Sequence, residues 1–164
     1  MIRAITTFGF IGRVPVAPGT AGSLAAVPVA WLLHGLGGVI LLIGATAAVV
    51  LLGIWAIARD TGGAADPDRS EIVIDEVAGQ WIALFPLSAG LSARGAEPWE
   101  IPLMGGLVAF VLFRIFDILK PWPVSWADRQ KTPLGVMLDD VLAGAMAALV
   151  IAGTAAVARM AVAG

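Results

Sequence analysis

The chain has no cysteine and no tyrosine, and its single histidine is His34. Without cysteine there is no disulfide, no thiolate nucleophile and no cysteine-ligated zinc. Without tyrosine there is no phenol chemistry, and one histidine makes neither a histidine-rich metal site nor a catalytic histidine pair. Charge is scarce too: Asp, Glu, Lys and Arg make up 13% of the 164 residues, where a soluble domain carries about 25%. Acid, base and metal work must therefore fall to Asp and Glu, with Arg and Lys for anions. A net charge of −2 and a pI near 5.2 argue against nucleic acid as a partner.

Apolar residues are in excess. They make up 59% of the chain, against about 45–50% in soluble domains, and the mean hydropathy is +0.93. One domain, residues 1–164, cannot hide that much apolar surface, and the lipid bilayer is its natural solvent. Residues 14–58 contain no Asp, Glu, Lys or Arg, a run of 45 residues, too long for one spanning helix of about 20. The cluster His34-Gly35-Leu36-Gly37-Gly38 divides it, glycines being favoured at turns. The expected apolar segments are 22–33, short and carrying Pro28, then 39–58, 77–93, 101–119 and 141–158. The expected fold is all-α, a polytopic membrane bundle of four to five apolar helices. Arg3 and Arg13 ahead of an apolar stretch imitate a signal peptide, but further spans follow, so an uncleaved first segment is the reading.

With the N-terminus inside and five crossings, the inside segments hold Arg3, Arg13, Arg59, Arg69, Arg114, Lys120, Arg129 and Lys131; only Arg94 and Arg159 lie outside. That sorting agrees with the positive-inside rule. The acids follow: Glu97 and Glu100 fall outside, and all the others fall inside. Such one-sidedness suggests an organised site at the cytoplasmic membrane surface.

Two segments echo each other. Residues 72–79 carry Asp75-Glu76 and then Gly79; residues 136–144 carry Asp139-Asp140 and then Gly144. Asp75 to Gly79 and Asp140 to Gly144 are both i,i+4 pairs, so each glycine lies on the face of its carboxylate. Small residues let membrane helices approach closely, which would bring the acidic pairs together. Clustered carboxylates repel unless a cation neutralises them, and a hard divalent ion such as Mg²⁺ is the natural one. The competing reading is that acids at helix N-termini merely offset the macrodipole; two echoing pairs favour the metal site.

Arg114, Asp117 and Lys120 recur every third residue at the end of an apolar helix that Pro121 and Pro123 terminate. Arg offers phosphate a planar fork and Lys a point charge, while Asp117 would orient Arg114 or join the metal ligands. The alternative is a salt-bridged, snorkelling helix end. Trp122 and Trp126 suit headgroup depth. The stretch 14–23 is a rigid loop leading into a helix, with Thr20 or Ser23 as its expected N-cap and Arg13 nearby; free N–H groups at such a start attract anions. Asp66-Pro67-Asp68 imitates the D-x-D of aspartyl-phosphate phosphatases, but that chemistry needs a buried strand before the first Asp. Gly62-Gly63-Ala64-Ala65 precedes it here, and the reading is rejected. His34 is read as a residue of the outer turn.

With these motifs the chain resembles the phosphatidylglycerophosphatase A family of bacterial inner-membrane lipid phosphatases. The resemblance rests on P-x-A-P-G-T-x-G-S-L-A-A at 15–26, I-V-x-D-E-x-x-G at 72–79, F-R-x-x-D-x-x-K-P-W-P at 113–123 and G-V-M-x-D-D-x-x-A-G at 135–144. It implies Mg²⁺-dependent hydrolysis of phosphatidylglycerophosphate to phosphatidylglycerol at the cytoplasmic face. On that reading Asp75, Glu76, Asp139 and Asp140 hold the metal, and Arg114 and Lys120 stabilise the phosphate, with Arg13, Thr20 and Ser23. Asp117 or Glu71 would act as base or orienter, and a covalent aspartyl-phosphate stays open beside a water nucleophile. Two other classes remain. One is another Mg²⁺-dependent lipid-headgroup phosphotransferase, which typically has a denser run of Asp on one helix. The other is a transporter or scaffold, for which acids midway along the spans would speak, whereas these lie at the ends.

Overall fold

The structure is a computed structural model that describes residues 1–163. Among them every regular element is helical and no strand occurs: α1 (Ile2–Thr6), a 3₁₀ turn (Ile11–Arg13), α2 (Pro18–Thr61), α3 (Ile74–Ala93), α4 (Leu103–Leu119), α5 (Val124–Asp128) and α6 (Pro133–Ala163). α2 and α6 are long and apolar enough to cross a membrane.

α2 is not one rod. Gly37 and Gly38 leave helical geometry, Gly38 with φ +62° and ψ −157°, a conformation that glycine adopts without the penalty of a Cβ. The break falls inside the glycine cluster where the uncharged run was expected to divide. Its two arms, 18–36 and 39–61, are antiparallel, as their neighbours on α3 show. A Cβ on Gly22 would meet Val73 just before α3, one on Gly38 would meet Ser92 near its far end, and one on Gly53 lies close to Ile74 at its start. Pro28 sits inside the first arm without ending it. That arm therefore returns residues 18–23 to the end of the molecule where α3 and α6 begin.

Two sequence expectations need correction. Neither Thr20 nor Ser23 caps α2: the helix starts earlier, at Pro18, with Ala17 as N-cap at φ +48°. The fixed φ of proline suits the first helical position, where its missing N–H costs nothing. Ser23, a turn inside, donates instead to the Gly19 carbonyl at 2.8 Å. His34 is not an open turn residue either. It lies buried before the break, its Nδ1 2.7 Å from Ser88 Oγ and its ring edge-on to Trp31. A polar ring there meets a hydroxyl on α3 and so is satisfied in the interior.

The core is built from small residues. Ala26, Ala30, Ala109, Ala143 and Ala147 are buried together with Trp81, Leu84 and Phe113, and Trp81 Nε1 donates to the Ala26 carbonyl at 2.9 Å. Large apolar side chains such as Leu51, Leu103 and Leu149 point outward, each more than 70% exposed, the reverse of a soluble helix bundle. α1 ties the end of α2 to the start of α3. Thr6 Oγ1 donates to Asp60 at 3.1 Å, and the Thr6 carbonyl accepts the Val73 N–H at 2.9 Å.

α3 and α6 cross in backbone contact. A Cβ on Gly144 would fall on the Gly79 carbonyl and lie 3.0 Å from the Gly79 Cα, so neither neighbour can give way. Gly153, further along α6, has nothing near it. Gly144→Ala should therefore lower the melting temperature in detergent, by an overpacking cost of about 1–3 kcal/mol. Gly153→Ala should leave it unchanged or raise it through helix propensity, by up to about 1 kcal/mol. Equal melts for the two variants would contradict the crossing.

Candidate active site

The crossing sets the distance between the two acidic segments. Asp75 and Glu76 lie in the first turn of α3, and Asp140 faces them from α6. One carboxylate oxygen from each lies within 4.8 Å of the others. Asp75 and Asp140 are only 6% and 3% exposed. Glu76 Oε2 and Asp140 Oδ1 are buried without a hydrogen-bond partner. At such a separation two unit charges repel by roughly 3.5 kcal/mol at an effective dielectric near 20. Carboxylate oxygens from three acids, two of them buried without a partner, fit a hard divalent cation. Macrodipole compensation does not account for the second pair: α6 begins at Pro133, so Asp139 and Asp140 lie beyond the first turn, where the dipole acts.

Each pair is organised by the same local bond. Asp75 Oδ1 accepts the Glu76 N–H at 3.1 Å, and Asp139 Oδ1 accepts the Asp140 N–H at 3.0 Å. Asp139, however, stands outside the three-acid cluster. Its other oxygen takes Lys120 Nζ at 3.0 Å, and Lys120 also pairs with Asp128 of α5. Lys120 ends α4 in the left-handed conformation, φ +46°, which aims its side chain across to α6. Burial alone would lower the lysine pKa, but the hydrogen bonds and charges of Asp128 and Asp139 outweigh it and raise the pKa above the ordinary value.

Arg114 and Asp117 form an ion pair at 2.6 Å, and Arg114 Nη1 lies 3.5 Å from Ser23 Oγ. Arg114 Nε is buried without a partner. The N-terminal loop closes this side, since a Cβ on Gly19 would fall on Glu76 Oε1 and lie 3.4 Å from Arg114 Nη1. Glycine there leaves room for an acid and a guanidinium side by side. Thr20 follows on the same turn. Arg13 does not join; it is exposed and stacks over Phe10, 5.0 Å from the ring centroid. Glu71 contributes its carbonyl as the surface on which Gly12 packs. Asp66 and Asp68 stay in the exposed loop, Asp66 accepting the Asp68 N–H and pairing with Lys131 at 3.3 Å.

Sequence reasoning passed over Gln80. It is fully buried on α3, and neither its amide oxygen nor its nitrogen has a partner. Gln80 shares a helix face with Glu76, four positions earlier. The available signal was a lone amide in the otherwise apolar run 77–93, where a polar group costs free energy unless something satisfies it.

The sequence that builds this geometry has known relatives. Residues 4–155 match the family model described as phosphatidylglycerophosphatase A. The chain belongs to the phosphatidylglycerophosphatase A family. It is 33% identical over 145 residues to phosphatidylglycerophosphatase A of Escherichia coli K12, covering 84% of this chain and 73% of that protein. It is 37% identical over 141 residues to phosphatidylglycerophosphatase A of Haemophilus influenzae, covering 85% and 80%. A Bacteroides thetaiotaomicron protein, provisionally named phosphatidylinositol-3-phosphatase, is 40% identical over 151 residues, covering 90% and 88%. No solved structure matches the chain. The four motifs, 15–26, 72–79, 113–123 and 135–144, all lie inside the matched span.

Because the Lys120 pKa is raised, the stability this ion pair contributes is fully present below the unfolded lysine pKa of about 10.4 and is lost only as pH climbs through the folded value. Lys120→Met should lower the melting temperature equally from about pH 7.5 to 9, and adding Asp139→Asn should recover part of the loss. A thermodynamic cycle of the two substitutions should give a coupling of about 1–2 kcal/mol. Additive effects would show that Lys120 does not neutralise Asp139.

Proposed function

We propose that this protein is a multi-pass enzyme of the bacterial inner membrane that removes the terminal phosphate of phosphatidylglycerophosphate, yielding phosphatidylglycerol for phospholipid synthesis. Its active site faces the cytoplasm and uses Mg²⁺. The observation that carries the reading is the oxygen-only cluster of Asp75, Glu76 and Asp140 beside Arg114, in a member of this family. Five apolar rods support the topology: the two arms of α2, then α3, α4 and α6. So does the position of the acids and Arg114 at one end, on the side where basic residues concentrate.

Asp75, Glu76 and Asp140 are the metal-holding residues. A divalent ion there supplies positive charge toward a phosphate and makes a nearby water more acidic. Arg114, oriented by Asp117 and Ser23, binds the phosphate oxygens and steadies the charge that develops on them. Gly19 leaves room for Glu76 and Arg114 side by side. Lys120, occupied by two carboxylates, neutralises Asp139 and fixes the end of α4 instead of reaching for substrate. In the net reaction water adds its oxygen to phosphorus, the phosphorus–oxygen ester bond breaks, and the glycerol oxygen leaves with a proton. The Bacteroides relative supports a second reading, with an inositol 3-phosphate headgroup in the same site.

Phosphate release by the purified chain from each lipid tests both. Phosphatidylglycerophosphate should be the better substrate, and excess EDTA should stop turnover. Asp140→Asn should reduce turnover by more than about 100-fold, beyond the usual effect of a residue that only supports a ligand. Glu97→Gln, an exposed acid beyond the far end of α3, should leave it unchanged. A folded Asp140→Asn protein with near-normal turnover would defeat the assignment.

A further inference from the structure

An apolar groove of about 550 Å³ lies between the first arm of α2 and α4, within the roughly 300–1,000 Å³ of known ligand sites. Leu24, Pro28 and Trp31 form one wall and Leu107 and Phe110 the other, and no charged residue lines it. Trp99, whose ring packs over Gly35, closes the far end. At the near end both walls run into the active site. Leu24 follows Ser23, and Phe110 stands one helical turn before Arg114. A second apolar depression of about 300 Å³ begins at Phe110 and reaches Arg114, the one charged side chain lining either cavity. From Leu24 to Leu32 the first wall rises about 12 Å at 1.5 Å per residue, close to the roughly 15 Å depth of one bilayer leaflet.

We infer that this groove is the seat of one acyl chain of the phospholipid substrate. The inference rests on the phosphatase reading above and names what holds the rest of the molecule. A cation at the mouth of an uncharged groove of leaflet depth matches an anionic headgroup followed by a hydrocarbon tail. A soluble phosphomonoester would leave the groove without a use. Loosely held bulk lipid is the competing occupant.

The probe is a non-hydrolysable phosphonate analogue of phosphatidylglycerophosphate with a diazirine on the last carbons of one chain, added to the full-length protein in phosphatidylcholine nanodiscs. Illumination should label residues 24–32 and 99–110, and excess unlabelled phosphonate should remove the label. Leu107 is exposed in the groove wall, so Leu107→Trp fills the groove without touching the core. It should cut the labelling by about tenfold, the discrimination expected from an apolar pocket altered by one side chain. Leu149→Trp, on the outward face of α6, should leave it unchanged. Labelling spread evenly over the outward faces of α4 and α6, or insensitive to competitor or to Leu107→Trp, would overturn the proposal. The probe is not hydrolysed, so this map stands or falls apart from phosphate release, which tests the phosphatase reading itself.

Discussion

The contact between Gly79 and Gly144 governs the rest of the structure. With no side chain on either residue, α3 and α6 touch through their backbones. That contact forces Asp75, Glu76 and Asp140 within 4.8 Å of one another in a largely buried place. The gain is van der Waals packing between close backbones; the cost is carboxylate repulsion in a medium poorer than water. In the proposed function a cation offsets that cost. On that reading the repulsion that burdens the acids alone would couple ion binding to folding, as buried ligands generally do.

The second constraint is the break at Gly37-Gly38. It converts an uncharged run of 45 residues into a hairpin and brings the chain's N-terminal loop back to the acids. Without it Gly19 would not sit against Glu76, nor Ser23 against Arg114. The first arm then has one face toward α3 and another toward α4. The second of these faces forms the groove wall that starts beside the site. Site and groove are thus two consequences of one turn.

Much of this was legible in the residues, and the parts that were not have physical reasons. Glycine effects are local: a Gly cluster between apolar runs marks a break, and a Gly four residues after an acid marks close approach on that face. The division of labour within the acidic pairs was not legible. Adjacent helical residues point about 100° apart, so two acids in a row reach one cluster only when a side chain is long enough to bend around. Glu76 has the extra methylene and joins Asp75, whereas Asp139 does not and turns to Lys120. That partner comes from a left-handed residue at the end of another helix, a conformation that lysine rarely adopts. His34 looked like a turn residue because glycines follow it; the hydroxyl that buries it, on Ser88, lies 54 positions away. Arg13 has a basic residue's charge and a useful position in the chain, yet the neighbouring Phe10 ring takes it outward.

The central claim is that the crossing builds a cation site from buried acids, and thermal unfolding with and without Mg²⁺ tests it most directly. A ligand that binds only the folded state stabilises it by about 2.7 kcal/mol at one hundred times its dissociation constant. Mg²⁺ should therefore raise the melting temperature of the wild-type chain and have little effect on Asp140→Asn. In EDTA the order should reverse or level, with Asp140→Asn melting at or above the wild type because one repelling charge is gone. No Mg²⁺-dependent rise in the wild type, or an Asp140→Asn chain that melts lower in EDTA, would contradict the account.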